Sequence, residues 1–252
     1  MLGTIDILYK NTNDKLLRKL CEYLEIDNIE QTTDSSKAVW VNPNPDSPIR
    51  KVNCYSILYN VRGYGRIWWV VLTVDLRLLY KTENYAPVSE NQLSDMEYRI
   101  DHLLQEFFGF DFRTYLPDIV GSDLLDKRIS YLEYMVHIQN VMADSLIKRL
   151  DRAYFNEKQL DPQYFNQFWI RNATPAFTIN KIDASTVRLC IKCKETAIKA
   201  MYKKYAEPNV SIANHILFNR NNVLDAFCKQ IKKYTKPMVF EELSREAIEM
   251  NL

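Results

Sequence analysis

The stretch TVRLCIKCKETAIKAMYKKY, residues 186–205, gathers side chains that do chemistry: Cys190 and Cys193 in C-x-x-C spacing, one arginine, and Lys192, Lys194, Lys199, Lys203 and Lys204 interleaved with Tyr202 and Tyr205. Thiols so spaced bind zinc or exchange disulfides. A structural zinc centre takes four ligands, and the chain offers His102, His137 and His215 and no second C-x-x-C, so two ligands would have to come from afar. A thioredoxin-like pair needs its first thiol at a helix N-terminus, whereas both thiols here lie in a β-branched, alternating run. That run reads as a strand. Period-two alternation sends Val187, Leu189, Ile191 and Cys193 to one face and Arg188, Cys190, Lys192 and Lys194 to the other. Cys193 is then core, and Cys190 sits on a basic face that is either plain solvent surface or the lining of a site.

The helix expected after that strand buries Ala197, Ile198, Met201 and Tyr205 at 3.6-residue spacing and exposes Lys199 and Lys203. Tyr202 falls on the border, where a phenol either half-buries or turns its hydroxyl to a cationic surface. On a second strand, YLEYMVHI, Glu133 and His137 share a face with Tyr131 and Met135. Four residues of extended chain span roughly 13 Å, so these two cannot bind one metal on a regular strand. Glu133 is a solvent-face residue, a ligand or a base.

Other chemistries find no support. There is no G-x-G-x-x-G, Walker A, G-x-S-x-G or H-E-x-x-H sequence. A net charge of +1 leaves any attraction to nucleic acid to a local basic patch. Five scattered cysteines and no signal-peptide pattern argue against a disulfide framework and for a cytoplasmic protein. The longest apolar run, IWWVVLTV, is too short to span a membrane and reads as a buried strand.

The elements that must position these residues follow from the same periodicities. GTIDILYK is a strand, and NDKLLRKLCEYLEI a helix with Leu16, Leu17, Leu20, Cys21 and Leu24 inward, capped by Asn13 or Asp14. Residues 26–49, rich in Asp, Asn, Ser and Pro, read as loop. Two strands flank RGYG as a hairpin. A long helix capped by Ser89 or Ser94 carries Leu93, Met96, Ile100, Leu103, Leu104 and Phe107 and ends at Gly109. Strand 131–138, helix 143–155 and a hairpin turning at Asp183, Ala184 and Ser185 follow, then lysine-rich helices over 195–252. With 47% apolar residues the chain can bury a full core. The order implies an α+β fold, an antiparallel sheet flanked by helices, in a single domain 1–252 with a helical C-terminal portion.

Four stretches together resemble the replication initiators of rolling-circle plasmids and filamentous phages. They are LTVDLRLLYKTENYAPVSENQLSDMEYRIDHLL, RISYLEYMVHI, FTINKID and TVRLCIKCK, within residues 65–235. The resemblance implies an HUH-endonuclease-like sheet, DNA as partner (an origin-like hairpin or single strand), Mg²⁺ or Mn²⁺ as cofactor, and a tyrosine that attacks a phosphodiester to leave a 5′-phosphotyrosine and a free 3′-OH. It implies Tyr202 as nucleophile, with Tyr205 and Tyr234 as the other candidates. It implies Glu133, Asp183 and Cys190 at the metal, and Arg188, Lys192, Lys194, Lys199, Lys203 and Lys204 on the nucleic acid. At the glutamate of that family's strand stands Cys190, a soft donor ill-matched to a hard ion.

The readings open at this point are therefore an origin-nicking endonuclease, a relative that binds DNA without cutting, and an interaction protein with no nucleic-acid role. No membrane partner is expected, and a homodimer is the assembly left open.

Overall fold

The computed structural model describes residues 2–12, 14–25, 30–31, 35–59, 65–82, 87–89, 92, 95–110, 129–153, 167–169, 176–205, 217, 219–234 and 240–252. The chain divides into two compact units, Thr4–Lys81 with Ser94–Ser130, and Met1–Gly3 with Thr82–Leu93 and Tyr131–Leu252. The class is α+β with antiparallel strands, as the order of elements implies.

In the first unit the strands are β1 (Leu2–Thr12, from Thr4 onward in this unit), β2 (Glu30–Gln31), β3 (Ser35–Val41), β4 (Ile49–Tyr59) and β5 (Gly65–Asp75), in spatial order β2-β3-β4-β5-β1. Alternation decides what they bury. Ile5, Ile7, Tyr9, Val52, Cys54, Val70, Leu72 and Val74 all point to the covered face. The helices α1 (Asp14–Tyr23) and α3 (Met96–Phe108) supply Leu20, Met96, Ile100, Leu104 and Phe108 to the core, and a short α2 (Leu76–Leu79) follows β5. Ring contacts bind them: Trp40 of β3 lies 5.8 Å from Phe107, and Tyr23 of α1 meets Phe107 and Phe108 edge-on. Asp75 caps α2 and accepts from the Arg77 amide, Nε and Nη2 at 3.0, 3.0 and 2.6 Å.

Two sequence expectations change here. The supposed loop 26–49 contains β2 and β3, because Ala38 and Trp40 alternate inward while Val39 and Val41 face out. Polar and proline-rich flanks hid a seven-residue strand. Prolines 43, 45 and 48 mark only the connection, where Asn42 and Asn44 accept from the amides two residues on. The long helix begins at Met96, after the expected serine caps. Ser89 bonds to Gln92, and Asp95 holds Arg99 and Tyr80 instead of capping the helix. The C-terminal stop is as read: Gly109 at φ 66 closes the last turn with an N–H to Gln105.

The second unit carries β6 (Ile129–Ile138), β7 (Gln167–Trp169), β8 (Ala176–Lys181) and β9 (Val187–Lys194), in order β6-β9-β8-β7. Its helices are α4 (Ala143–Ala153), α5 (Glu195–Tyr205), α6 (Arg220–Tyr234) and α7 (Arg245–Asn251). Leu132, Tyr134, Val136 and Ile138 alternate inward on β6, as do Leu189, Ile191 and Cys193 on β9 and Phe177 and Ile179 on β8. Leu146, Ile147, Leu150, Ile198, Val223, Leu224 and Phe227 from α4, α5 and α6 complete this core. Tyr134 is fully buried, and its hydroxyl donates to the Leu217 carbonyl at 2.8 Å. The β8–β9 turn falls where the sequence placed it, with Asp183 Oδ1 accepting from the Ser185 amide at 2.7 Å. Among the described residues no helix is long and apolar enough to cross a membrane.

Candidate nucleic-acid interface

β9 lies between β6 and β8, and antiparallel pairing fixes which side chains meet. Tyr131 is opposite Lys194, Glu133 opposite Lys192, Met135 opposite Cys190 and His137 opposite Arg188. On the other side Ala176 is opposite Lys192, Thr178 opposite Cys190 and Asn180 opposite Arg188. All of these share one face of the sheet, because directly paired residues point the same way. This is the face on which alternation had placed Arg188, Cys190, Lys192 and Lys194.

Three kinds of environment follow one another along it. At one end Arg188 is half-buried, and its Nε donates to His137 Nε2 at 2.9 Å. An imidazole nitrogen that accepts carries no proton, so His137 is neutral with its proton on Nδ1. In the middle Cys190 is 3% exposed, beside its equally buried ladder partner Thr178. Burial pushes its thiol up to about 12; Glu133 adds to the rise, and Arg188, a Thr178 hydrogen bond and Lys192 oppose it. At the far end Glu133 Oε1 lies 3.9 Å from Lys192 Nζ, with the carboxylate side chain 14% and the lysine 45% exposed. Lys194 is exposed beyond it. Gly3 allows the chain to pass close by: a Cβ there would meet Met135 Cε at 2.7 Å and Glu133 Oε2 at 3.2 Å.

The C-x-x-C thus separates into two neutral thiols on opposite faces. Burial pushes Cys193 up to about 12 as well. All five cysteines are free.

The structure does not bring the expected metal set together. Asp183 is exposed in the β8–β9 turn, beyond the Lys181–Val187 pair, while Glu133 pairs with Lys192. Five residues of strand separate those two levels, roughly 16 Å. The spacing of Asp183 from Cys190 in sequence conceals this, because the hairpin turn carries Asp183 to the end of the ladder. Cys190 is a protonated thiol and Glu133 faces a lysine. No group of three His, Cys, Asp or Glu suited to a metal occurs among the described residues. Among the described residues, Glu133, Asp183 and Cys190 do not make the set of several oxygens that Mg²⁺ or Mn²⁺ prefers.

Of the remaining candidates, Lys199 is exposed on α5 and pairs with Glu195 at 2.8 Å. Ile198 is buried as the helical stripe requires, and Ala197 and Met201 are half-buried. Tyr202, Tyr205 and Tyr234 lie on helices, but their side chains, like those of Lys203 and Lys204, lie outside the described residues. The sequence reading missed the His137–Arg188 pair. Each residue had been placed on a face of its own strand, and only the register between β6 and β9 joins them.

No family model matches the chain, and no curated protein matches it. Two solved structures are similar at a low level. The di-domain ARO/CYC BexL from the BE-7585A biosynthetic pathway is 9% identical over 95% of this chain and 100% of that chain, with a TM-score of 0.25. Methanococcus jannaschii TBP is 12% identical over 81% of this chain and 91% of that chain, with a TM-score of 0.29. Likeness at these values carries no argument about fold family or activity.

Proposed function

We propose that the chain binds DNA through its phosphates without cutting it, using the cationic face of the β6–β9 ladder. The observation that carries this reading is that Arg188, Lys192 and Lys194 lie on one side of one strand, Lys192 and Lys194 two residues apart and Arg188 four residues from Lys192 across buried Cys190, with exposed Lys199 on the following helix. Strand geometry spaces such a row at roughly 6.6 Å per step, which presents separate positive charges along a line. Cations so arranged bind a polyanion by releasing its counterions, largely independent of sequence.

The reading keeps the part of the rolling-circle initiator resemblance that concerns DNA and leaves out metal-dependent nicking. Attack by a tyrosine on a phosphodiester needs charge neutralised at the scissile phosphate. Among the described residues, the carboxylate of Glu133 on this face is opposed by Lys192, and burial holds the neighbouring Cys190 thiol protonated. The experiment is a fluorescence-anisotropy titration with a labelled DNA hairpin bearing a single-stranded loop, run beside an incubation of supercoiled plasmid with Mg²⁺ or Mn²⁺. Binding that weakens steeply with salt, and plasmid that stays supercoiled, are expected. A nicked circle with protein attached to its 5′ end, lost in one of Tyr202→Phe, Tyr205→Phe or Tyr234→Phe, would replace this function with the endonuclease.

A further inference from the structure

We infer that Arg188 is a phosphate-binding residue whose guanidinium is aimed by His137, and that it binds only while the imidazole is unprotonated; this rests on the proposed DNA-binding reading. Of the five N–H donors of a guanidinium, the one on Nε is given to His137 Nε2 at 2.9 Å. The four on the terminal nitrogens have no partner among the described residues. A guanidinium fixed through Nε presents those four as a planar fork, the geometry that takes a phosphate bidentately. Lys192 and Lys194 act differently. Each is an exposed ammonium on a flexible stem, a point charge that attracts without orienting.

His137 serves this role because of where the sheet places it. It is directly opposite Arg188 on β6, so the hydrogen bond spans one rung of the ladder. Among the described residues the ladder places Asn180 beside the pair on the β8 side, Cys190 and Met135 one rung along, and Glu133 and Lys192 two rungs along. Gly3 of β1, beside Met135 and Glu133, brings no side chain. Protonating His137 turns the acceptor into a donor and sets two cations against each other, so the guanidinium must turn away. His137 is a positioning residue, acting through Arg188.

Two effects of acid then compete with opposite sign, which makes the inference testable. An imidazolium that acted only as an added charge would strengthen DNA binding; one that releases Arg188 weakens it. An ordinary imidazole titrates near pH 6.5, so affinity for a labelled oligonucleotide is compared at about pH 7.5 and 5.5 at one ionic strength. The parent chain should lose about ten-fold on acidification, the worth of one charge-assisted hydrogen bond. His137→Gln, whose amide oxygen accepts at a similar reach and does not titrate, should bind like the parent at pH 7.5 and keep that affinity at pH 5.5. Arg188→Ala should be weak at both. Tighter parent binding in acid, or His137→Gln as sensitive to pH as the parent, overturns the inference while leaving DNA binding intact.

If the parent does not bind DNA at all, the DNA-binding reading fails and a second arm still decides the inference. The Arg188 Nε–H resonance is followed by NMR while inorganic phosphate is added. A saturable shift at pH 7.5 that disappears at pH 5.5, and persists there in His137→Gln, supports the aimed fork. No shift at pH 7.5 refutes it.

Discussion

Replacing Glu133 by Gln separates binding from cutting in one substitution. The carboxylate sits 3.9 Å from the ammonium of Lys192, and its side chain is only 14% exposed. At that distance two unit charges interact by about 1 kcal/mol in water and about 4 kcal/mol at an effective dielectric of 20. Lys192 is 45% exposed, so solvent screening places the net value toward the lower figure, about 1 kcal/mol. Glutamine keeps the shape and removes the charge, which frees Lys192 to meet a phosphate and takes a repulsive charge off the face. DNA affinity is expected to rise about five-fold, and the slope of log K against log[salt] to steepen by about 0.9, one further phosphate neutralised. The assay is anisotropy with a labelled duplex between about 50 and 200 mM salt, with thermal melting to show that the fold is retained. Unchanged or weaker binding by a folded Glu133→Gln would refute the reasoning, because it would mean that the carboxylate helps DNA bind.

Other expectations follow from the same structure. Tyr134→Phe leaves the Leu217 carbonyl without its 2.8 Å donor in the core, which should cost about 1–3 kcal/mol and lower the melting temperature by about 2–4 °C for each kcal/mol. Burial raises the Asp6 carboxyl from 3.8 against the opposing Thr73 hydrogen bond and Lys51. Its contribution to stability is therefore complete below the unfolded value and lost as pH rises through the folded one. Asp6→Asn, which can still accept from Thr73, should gain stability relative to the parent between about pH 3 and pH 7 in urea unfolding; a constant difference would contradict this. Cys54, Cys190 and Cys193 are each pushed from 9.0 up to about 12, which cuts their thiolate fraction about a thousand-fold. With Ellman's reagent, half-buried Cys21 and Cys228 should react first and these three only on unfolding.

Much of the scaffold was legible because one face of each long element is covered. Leu189, Ile191 and Cys193 against Lys192 and Lys194, or Met96, Ile100 and Leu104 on α3, repeat at periods that only a strand or a helix explains. β3 was not legible, since four of its seven residues are Ser35, Ser36, Lys37 and outward Val41, and its inward Ala38 and Trp40 are too few to stand out beside a proline-rich connection. The composition of the candidate face was read correctly from β9 alone. What joins its residues across strands was not, because sequence alternation fixes a face and leaves the register open. Once any one pair of β6 and β9 is known, antiparallel geometry sets His137 opposite Arg188 and sends Asp183 to the far turn. The C-x-x-C drew attention by spacing that matters in loops and helix starts, whereas on a strand that spacing places the two thiols on opposite sides.

The measurement that bears most directly on the proposed function is the salt dependence of DNA binding by the intact chain. Three cations not opposed by Glu133, Arg188, Lys194 and Lys199, should give a slope of log K against log[salt] of about −3 on duplex DNA. Substituting Lys194 by alanine should bring it about one unit nearer zero. No binding, or binding that salt does not weaken, would contradict a phosphate-reading face on this ladder.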